Sequence, residues 1–566
     1  MRFRVLLTTL LFTAATPAAD LPGFRRSAWF GEQVREEWVG DGVRVLVEVA
    51  GDFDAKRPTR LVVFATPNGN TIEQTLGCGP ADGLDWHFDI QHVAAQVRRL
   101  REVTPGENVV LACFEAEGLS WPAWRRKYAD SPARVVQAVA AVRGWLPKVD
   151  AVELSCHSGG GSFLFGFINA ADTIPADVRR IVFLDANYSY ADADKHGDKL
   201  LAWLKGDAAR RLVVIAYDDR NITLNGKLVV GPDGGTFRAT ERMRSRFAND
   251  VELTESKTGD FTTRTALDGR LALIVHANPQ TKILHTVLVG EMNGLLRGLS
   301  DAAWGTFGGP RAYTKWVQPA PAIPPRPADA IGGAAFMAKI ADLPRAEREE
   351  AIAAELLRGN LPDFLRRFKP IAVTAKDAAG KDHTATYEVM PDYLAVGSDA
   401  DFVRVPMTPM TAARVADAFG CALPTRKVAE DVYKAATVKL EPRPLTEARE
   451  AVPTFVRHNA IIEEQRSGKP LGELVAGIKK DVVVTNRVAE KPNRVAIFGW
   501  HKLDGTPIQP LTVVHVNWYV DYSHGVRLMK RALTVDGKPR DMRPVLYDAA
   551  LCGLVSDEGP ITRPAY

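Results

Sequence analysis

The chain has 566 residues, of which 46% are hydrophobic and 25% charged, and its formal net charge is +4. This length exceeds what one hydrophobic core supports, so we expect at least two domains. The composition excludes a disordered chain, and the small net charge gives no case for a nucleic-acid partner.

The first residues have the pattern of a secretory signal peptide. Basic Arg2 and Arg4 precede a short apolar segment, and small residues follow up to Ala18 and Ala19. We therefore expect residues 1–19 to be removed by cleavage near Ala18 or Ala19, and the protein to be periplasmic or secreted. No later apolar run approaches membrane-spanning length, so no transmembrane segment is expected after signal removal.

The next part of the chain alternates predicted strands with predicted helices. It opens with VREEWVGDGVRVLVEVA, which predicts a hairpin with its turn at Gly40-Asp41-Gly42. Six nearly continuous apolar runs follow, namely TRLVVFATP, ENVVLACFEA, KVDAVELSC, RRIVFLDAN, RRLVVIAYDD and GRLALIVHAN. Helical patterns lie between them, in IQHVAAQVRRLREV, PARVVQAVAAVRGWL, DKLLAWLKG and ATERMRSRFAN. This alternation predicts an α/β domain with a doubly wound, mainly parallel sheet, which we place at residues 20–316.

A glycine-rich turn joins one of these strands to the helix after it. It reads Cys156-His157-Ser158-Gly159-Gly160. In a nucleophile elbow the reactive residue occupies a sharp strand-to-helix turn, and the residues two positions away must be small to avoid collisions. Cys156 and Gly160 meet that requirement, so we interpret Ser158 as a catalytic nucleophile.

A serine nucleophile needs a base, and three histidines follow it in the same domain. His196 lies in the polar stretch ADADKHGDK, which indicates a solvated loop, and His276 lies in the strand LALIVHAN. His285 follows the last strand by a loop, where the order Ser, acid, His places the base. We therefore predict His285 as the base, against the alternative of a packed histidine at a helix start.

Two strand ends offer the acid that would orient the base. Asp218 and Asp219 end RRLVVIAYDD, and Asp185 ends RRIVFLDAN one strand earlier. Asp185 and Asp218 are equal candidates, with Asp219 behind them. An Asp at any of these places can instead cap a helix or a turn.

The oxyanion of an acyl-transfer reaction needs hydrogen-bond donors. The N–H of Gly159, directly after the nucleophile, is one candidate. The loop after the first parallel strand, FATPNGNTIEQT, offers Asn68 and Gly69 as the other, although the same residues suit a simple turn.

The elbow, the strand pattern and the order Ser158, Asp, His285 resemble the α/β-hydrolase superfamily over roughly residues 30–310. The resemblance implies a serine acyl-enzyme mechanism on an ester, amide or peptide bond, without a metal or an organic cofactor. The substrate would be a small molecule or a cell-envelope component. Cys156 in the elbow and the PNGN loop depart from the superfamily's usual residues.

An aromatic and basic segment lies on the carboxyl edge of the predicted sheet. EGLSWPAWRRKY contains Trp121, Trp124, Arg125 and Arg126, which would suit an anionic or sugar-containing substrate. The alternative is an aromatic segment packed over the sheet with its arginines in solvent.

A proline-rich stretch divides the chain. VQPAPAIPPRPADAIGG predicts an extended linker over residues 317–330, and a second domain follows over residues 331–566. Helical patterns open it, in AAFMAKIADLPRAEREEAIAAELLRG, MTAARVADAFG and TRKVAEDVYKAA. Strand patterns follow in KDVVVTNR, RVAIFGWH and LTVVHVNWYV, so this domain is predicted to be α+β.

The second domain leaves its function open. Cys421 precedes a helix and, with His524, offers a second enzyme site, although an isolated cysteine is more often a core residue. The cluster Asp521-Tyr522-Ser523-His524 suits glycan or peptide binding, or a turn that ends a strand. A further alternative is a non-catalytic cell-envelope or glycan-binding protein with a degenerate hydrolase domain. The five cysteines form no CxxC pair, which gives no case for a zinc or dithiol site.

Overall fold

The computed structural model describes residues 20–300, 307–564 and 566. The predicted signal peptide, residues 1–19, lies outside the described residues. Within the described ranges, no helix is both long enough and apolar enough to cross a membrane.

The N-terminal unit, residues 20–316, is built around one large mixed sheet. Its strands are β1 (Arg25–Arg26), β2 (Gln33–Val39), β3 (Val43–Val49), β4 (Thr59–Ala65), β5 (Asn108–Ala116), β6 (Ala151–His157), β7 (Val178–Leu184), β8 (Arg211–Tyr217), β9 (Thr223–Leu224), β10 (Lys227–Leu228), β11 (Thr254–Thr258), β12 (Phe261–Ala266) and β13 (Leu271–His276). The spatial order in the sheet is β1-β2-β3-β5-β4-β6-β7-β8-β13-β12-β11, and β9 and β10 form a separate hairpin.

The centre of this sheet is parallel and buried on both faces. Strands β5, β4, β6, β7, β8 and β13 run parallel to one another, whereas β3 is antiparallel to β5. These are the six apolar runs of the sequence, and two hydrophobic clusters cover their two faces. The predicted hairpin forms β2 and β3, with Val39 opposite Val43 across the turn. The predicted fold class is therefore confirmed for this unit.

Helices lie on both sides of the sheet. They are α1 (Ile72–Leu76), α2 (Val93–Val103), α3 (Trp121–Lys127), α4 (Ser131–Arg143), α5 (Gly161–Asn169), α6 (His196–Lys205), α7 (Thr236–Phe247) and α8 (Gly294–Leu299). The four helical patterns of the sequence correspond to α2, α4, α6 and α7. The antiparallel ribbon β11–β12 was not predicted, because its threonine- and charge-rich segments lack an apolar run.

The C-terminal unit, residues 331–564, has its own hydrophobic cores and mixes helices with short sheets. Its helices are α9 (Gly333–Ile340), α10 (Arg345–Leu357), α11 (Pro409–Ala418), α12 (Arg426–Ala435), α13 (Val452–Arg466), α14 (Asn486–Glu490) and α15 (Met542–Tyr547). Its strands are β14 (Lys369–Lys376), β15 (Asp382–Val389), β16 (Ala395–Ser398), β17 (Asp401–Arg404), β18 (Cys421–Ala422), β19 (Val438–Lys439), β20 (Val475–Ala476), β21 (Lys480–Val482), β22 (Ile497–His501), β23 (Pro507–Thr512), β24 (His524–Gly525), β25 (Met529–Lys530), β26 (Ala532–Val535) and β27 (Lys538–Asp541). The predicted α+β class is confirmed.

One predicted strand of this unit is wrong. LTVVHVNWYV belongs to a strand only at its first residues, because β23 ends at Thr512. Residues 513–520 form a loop, and Val514 and Trp518 on it are exposed. An apolar run therefore marks a surface loop here, not a buried strand.

The proline-rich segment 317–330 contains neither helix nor strand. It is nevertheless held against the C-terminal unit, because Arg326 Nε donates to Asn360 Oδ1 at 3.1 Å and to the Gly397 carbonyl at 3.0 Å. The segment connects the two units as an extended and anchored chain.

An ionic cluster joins the two units. Glu73 of α1 pairs with Arg44 of β3 and with Arg531 and Arg543 of the C-terminal unit. A cavity of about 450 Å³ lies alongside, lined by residues of both units. Glu73 belongs to α1, the helix that follows loop 66–70. The C-terminal unit therefore contacts the helix next to that loop through its two arginines.

Candidate active site

Ser158 occupies a sharp turn at the centre of the sheet. Strand β6 ends at His157, Ser158 has a φ of 51°, and helix α5 begins at Gly161. A positive φ is rare for a serine, and it tilts the residue out of the strand at the carboxyl edge of the sheet. The Ser158 side chain is partly exposed. This is the geometry of a nucleophile elbow.

The small neighbours of Ser158 are required by close backbone contacts. A Cβ atom on Gly160 would lie 2.3 Å from the Ala65 carbonyl oxygen, and one on Gly161 would lie 1.7 Å from that of Ala186. Cys156 is fully buried, and burial raises the pKa of its thiol well above the ordinary range. Cys156 therefore serves as a small core residue under the turn.

His285 and Asp185 form a hydrogen-bonded pair beside the elbow. The His285 Nδ1 atom lies 2.5 Å from Asp185 Oδ2. Asp185 directly follows β7, has a φ of 46° and is fully buried, whereas the His285 side chain is 26% exposed. With Nδ1 held by the carboxylate, Nε2 is the nitrogen available for proton transfer.

His157 connects this pair to the elbow. Its ring centroid lies 4.5 Å from that of His285, and its Nε2 lies 3.0 Å from the His285 carbonyl oxygen. Burial lowers the pKa of His157 well below its ordinary value, so the ring is neutral and donates to that carbonyl. The residue before the nucleophile thus fixes the loop that carries His285.

A second carboxyl group lies close to Asp185. The Thr236 hydroxyl donates to Asp185 Oδ1, and the Thr236 backbone N–H donates to Asp219 Oδ2 at 2.8 Å. Burial raises the pKa of Asp219 to about 6, and its Oδ1 has no partner among the described residues. Gly235 permits this approach, because a Cβ there would lie 2.4 Å from the Asp219 carboxylate.

The structure separates the two leading acid candidates. Asp218 forms a salt bridge with Arg220 at 2.6 Å, and the hydrogen bond from Arg220 lowers the pKa of Asp218. Only Asp185 contacts His285 among the three aspartates, as far as the described residues show. Asp219 is linked to that pair through Thr236.

Two of the three oxyanion candidates lie together. Asn68 and Gly159 are in direct contact, because a Cβ on Gly159 would lie 2.1 Å from Asn68 Oδ1. Gly69 is less suitable, since its N–H already donates to the Leu119 carbonyl at 2.9 Å. Within the described chain, no hydrogen-bond acceptor engages the N–H of Asn68.

The His285 ring lies against His157, the residue before the serine, without a described hydrogen bond to the serine itself. Among the described residues, no hydrogen bond joins Ser158 Oγ to the His285 ring. Such a contact is often long before substrate binds and shortens in the bound complex.

The aromatic segment packs inward. Trp121 and Trp124 are buried in the core beneath α3, and the Trp124 indole N–H donates to the Asp41 carbonyl at 2.9 Å. Arg125 donates to the Ser162 carbonyl at 3.0 Å, and Arg126 is exposed. The burial of the two tryptophans agrees with the alternative interpretation, whereas only Arg126 of the two arginines lies in solvent as that interpretation expected.

The other two histidines of this unit have structural contacts. His196 is buried at the start of α6, where its Nδ1 accepts from the Ala191 N–H at 3.0 Å, so the prediction of a solvated loop residue was wrong. Only the polarity of its neighbours had suggested exposure. His276 ends β13, and its Nδ1 accepts from the Asn278 N–H at 3.0 Å.

Cys421 of the C-terminal unit does not form a reactive pair with His524. Cys421 is buried in β18, and burial raises the pKa of its thiol to about 12. His524 lies in β24 of a different sheet. The described cysteines are all free and buried. Within the described ranges, no group of three or more His, Cys, Asp or Glu residues is arranged to hold a metal ion.

No family model and no curated protein matches the chain. Solved structures similar to the N-terminal part include poly(aspartic acid) hydrolase-1 from Sphingomonas sp. KT-1, which is 15% identical with a TM-score of 0.28 over 46% of this chain and 98% of that one. A predicted CIB-like hydrolase from Thermoplasma acidophilum is 10% identical with a TM-score of 0.26, over 47% and 96% of the two chains. An S-formylglutathione hydrolase from Agrobacterium tumefaciens is 14% identical with a TM-score of 0.25, over 46% and 91%. Likeness at this level establishes no activity.

The topology itself identifies the fold. Residues 20–316 have an α/β-hydrolase fold, with the elbow after β6, Asp185 after β7 and His285 after β13. Sequence reasoning missed Thr236 and the role of His157. Thr236 belongs to no motif, and His157 occupies a position of the elbow pattern that carries no residue requirement; each acts through a partner that is distant in sequence.

Proposed function

We propose that the N-terminal unit is a serine hydrolase acting on an ester, amide or peptide bond. Ser158 is the nucleophile, His285 the base, and Asp185 the acid that orients the base. The observation that carries this proposal is the 2.5 Å contact between His285 Nδ1 and Asp185 Oδ2, next to a serine held at positive φ. A buried carboxylate fixes the tautomer of the imidazole and stabilises its protonated form during the reaction.

In the proposed mechanism, Ser158 Oγ attacks the substrate carbonyl carbon while His285 Nε2 accepts the serine proton. The carbonyl oxygen becomes an oxyanion, which accepts hydrogen bonds from the N–H groups of Gly159 and Asn68. His285 then gives the proton to the leaving group as the carbonyl re-forms, leaving an acyl group on Ser158. Water, deprotonated by His285, releases the acid and restores the serine.

We also propose that the protein is exported and acts in the periplasm or outside the cell, on the basis of the basic and apolar start of the chain. N-terminal sequencing of the protein recovered from the periplasm or medium tests this, and cleavage near Ala18 or Ala19 is the expected result. The proposal would be contradicted if the protein were found only in the cytoplasm and still began at Met1.

The activity is tested by covalent labelling with a fluorophosphonate and mapping of the modified residue by mass spectrometry. The wild-type protein should be labelled at Ser158, and Ser158→Ala should not be labelled. Ser189→Ala is a matched control, because Ser189 is an exposed serine on the same side of the sheet, in the loop after β7. It should react as fast as wild type.

His285→Ala separates an activated serine from an accessible one. If His285 is the base, its loss should lower the labelling rate at Ser158 by at least about 10³-fold while the fold is retained. A well-folded wild-type protein that is not labelled would contradict the proposal. That result would favour the alternative of a binding protein with a degenerate hydrolase domain.

A further inference from the structure

Three hydrogen-bond donors come from neighbouring strands of the small sheet β23-β22-β21-β24 in the C-terminal unit. Lys480 of β21 pairs with His524 of β24 in a parallel register, which places their side chains side by side. Across the other edge of β21, Lys480 is opposite Gly499 at an irregularity of β22, and Trp500 next to it has a φ of 56°. The Lys480 ammonium lies 5.3 Å from the Trp500 ring.

Two of these three side chains have buried polar atoms without described hydrogen-bond partners, and the third, Lys480, places its ammonium against the Trp500 ring. Lys480 is 7% exposed and, among the described residues, has no carboxylate oxygen within 4.0 Å. His524 is 1% exposed, and its Nε2 has no partner in the described chain. The buried indole N–H of Trp500 also lacks a described acceptor. Buried polar atoms are rarely left unpaired, so several together call for a ligand or for ordered water.

Charges of both signs act on these groups. Asp521 raises the pKa of His524, and Lys480, His515 and Lys479 lower it by smaller individual effects. Asp521 is already engaged by Arg449 at 2.6 Å, by the Tyr519 hydroxyl at 3.0 Å and by the Ser523 N–H at 2.8 Å. The Asp521 carboxylate therefore already accepts hydrogen bonds from donors other than Lys480 and His524.

Burial lowers the pKa of Lys480 from its ordinary value and the pKa of His524 to about 4, while Asp521 acts on both groups in the opposite direction. Lys480 is therefore the cation of this group, and His524 is neutral near pH 7. A buried cation without a carboxylate at hydrogen-bond distance is costly, and an anion placed against it would lower that cost. A lysine ammonium and an indole N–H only donate hydrogen bonds, and a neutral imidazole donates from one nitrogen, so an acceptor group would satisfy all three.

We propose that Lys480, Trp500 and His524 form an anion-binding site that takes the carboxylate or phosphate group of a ligand. The anion accepts hydrogen bonds from the Lys480 ammonium, the Trp500 indole N–H and the Nε2–H of neutral His524. Loop 513–520 borders the site through His515 and Tyr519, whose ring centroids lie 6.5 Å and 5.8 Å from that of His524. The half-exposed His515 ring stacks on Tyr519 at 4.5 Å. These rings suit a ligand whose anionic group is attached to an apolar or flat body.

This site is independent of the proposed hydrolase. It lies in the C-terminal unit and uses no residue of the Ser158 turn, so binding can be tested without measuring turnover. The Ser158→Ala variant is expected to bind the anion as wild type does.

The test is an NMR titration of full-length protein carrying ¹³C-labelled histidine. The chain has 11 histidines, which is few enough to assign by substitution. Inorganic phosphate and acetate are added separately at about pH 7 and constant ionic strength, with chloride as the balancing anion. Saturable shifts of the His524 and His515 signals are expected with a dissociation constant of about 1 mM or tighter, whereas His383 in β15 should not move. Saturable shifts with phosphate, with acetate or with both would support the site, and the comparison would identify the group that it prefers.

Lys480→Met is the decisive variant, because it keeps the length of the side chain and removes the charge. It should weaken the tighter-binding anion at least about tenfold, while Lys469→Met, at an exposed lysine after α13, should bind as wild type. Phosphate should also raise the melting temperature of wild type and not of Lys480→Met. His524→Gln provides a second variant should the first fail to fold. Two results would overturn the proposal and leave water as the occupant. One is a set of chemical shifts that grow linearly without saturation for both anions, and the other is equal anion affinity in wild type and Lys480→Met.

Discussion

The three consecutive glycines of the elbow should respond differently to substitution by alanine. At Gly159 the new methyl group would meet only the side chain of Asn68, at 2.1 Å from its Oδ1. At Gly160 and Gly161 it would meet backbone carbonyl oxygens, at 2.3 Å and 1.7 Å. None of these glycines has a positive φ, so the space around each Cβ decides the outcome.

The magnitudes follow from what must move. Asn68 is exposed, and its side chain can swing away, so Gly159→Ala should change the free energy of unfolding by less than about 1 kcal/mol. The Ala186 carbonyl belongs to the backbone after β7 and cannot retreat without shifting the sheet, so Gly161→Ala should cost about 3 kcal/mol or more. The proposed oxyanion donor at Asn68 is its backbone N–H, which stays in place when only the side chain swings away. Gly159→Ala should therefore keep the labelling rate within about tenfold, against the loss of about 10²- to 10³-fold that removal of one donor causes.

The assay pairs two measurements on each variant. Thermal unfolding reports stability, and the second-order rate of fluorophosphonate labelling at Ser158 reports reactivity. Gly159→Ala should melt and react nearly as wild type does, whereas Gly161→Ala should lose stability. A loss of reactivity of about 10²-fold or more in Gly159→Ala would refute the claim that only the Asn68 side chain moves, and wild-type stability in Gly161→Ala would refute the packing argument.

Three further outcomes follow from the charges at the sheet edge and from the buried thiols. Asp185→Asn should lower the Ser158 labelling rate about 10⁴-fold, while Asp218→Asn should leave it within about threefold, since only the first removes the carboxylate that orients His285. Burial raises the pKa of Asp219 from 3.8 to about 6, so the folded state holds a proton that the unfolded state has lost, and stability falls as pH rises through this window. The measurement compares melting curves of wild type and Asp219→Asn on both sides of that window. The free energy of unfolding of wild type should fall by about 1 to 2 kcal/mol across it, whereas the variant should not show this fall and should be the more stable protein at neutral pH. A parallel pH dependence in both proteins would contradict this. Cys421, with its pKa raised to about 12, should resist iodoacetamide in the native protein at about pH 8 and react after unfolding, as mass spectrometry of the labelled peptides would show.

The N-terminal sheet and the elbow were predictable because their signals are local. Each buried parallel strand is a continuous apolar run, and the turn at Ser158 is visible in five adjacent residues. The acid was not predictable by the same means. Asp185 and Asp218 both follow strands that end at one edge of the sheet, and only the contacts of Arg220 and His285 separate them.

The C-terminal unit was less predictable because its sheets join distant and short segments. In the larger sheet, β15 pairs with β25 through Val389 and Met529, and β25 has only two residues. The β14–β15 hairpin gave no apolar run, since its outward residues alternate with buried ones. The donors Lys480, Trp500 and His524 come from three strands, so no sequence spacing indicates that they meet.

The arrangement of the aspartates explains how this edge of the sheet provides a single charge to His285. Two ionised carboxylates on either side of Thr236 would repel each other, and burial already disfavours charge on Asp219. The Thr236 hydroxyl donates to Asp185, while Asp219 has one oxygen without a described partner and favours its proton. Asp218 is neutralised by Arg220 outside this group. The carboxyl of Asp219, after β8, therefore supports Asp185 through Thr236, and the carboxylate that contacts His285 lies one strand earlier.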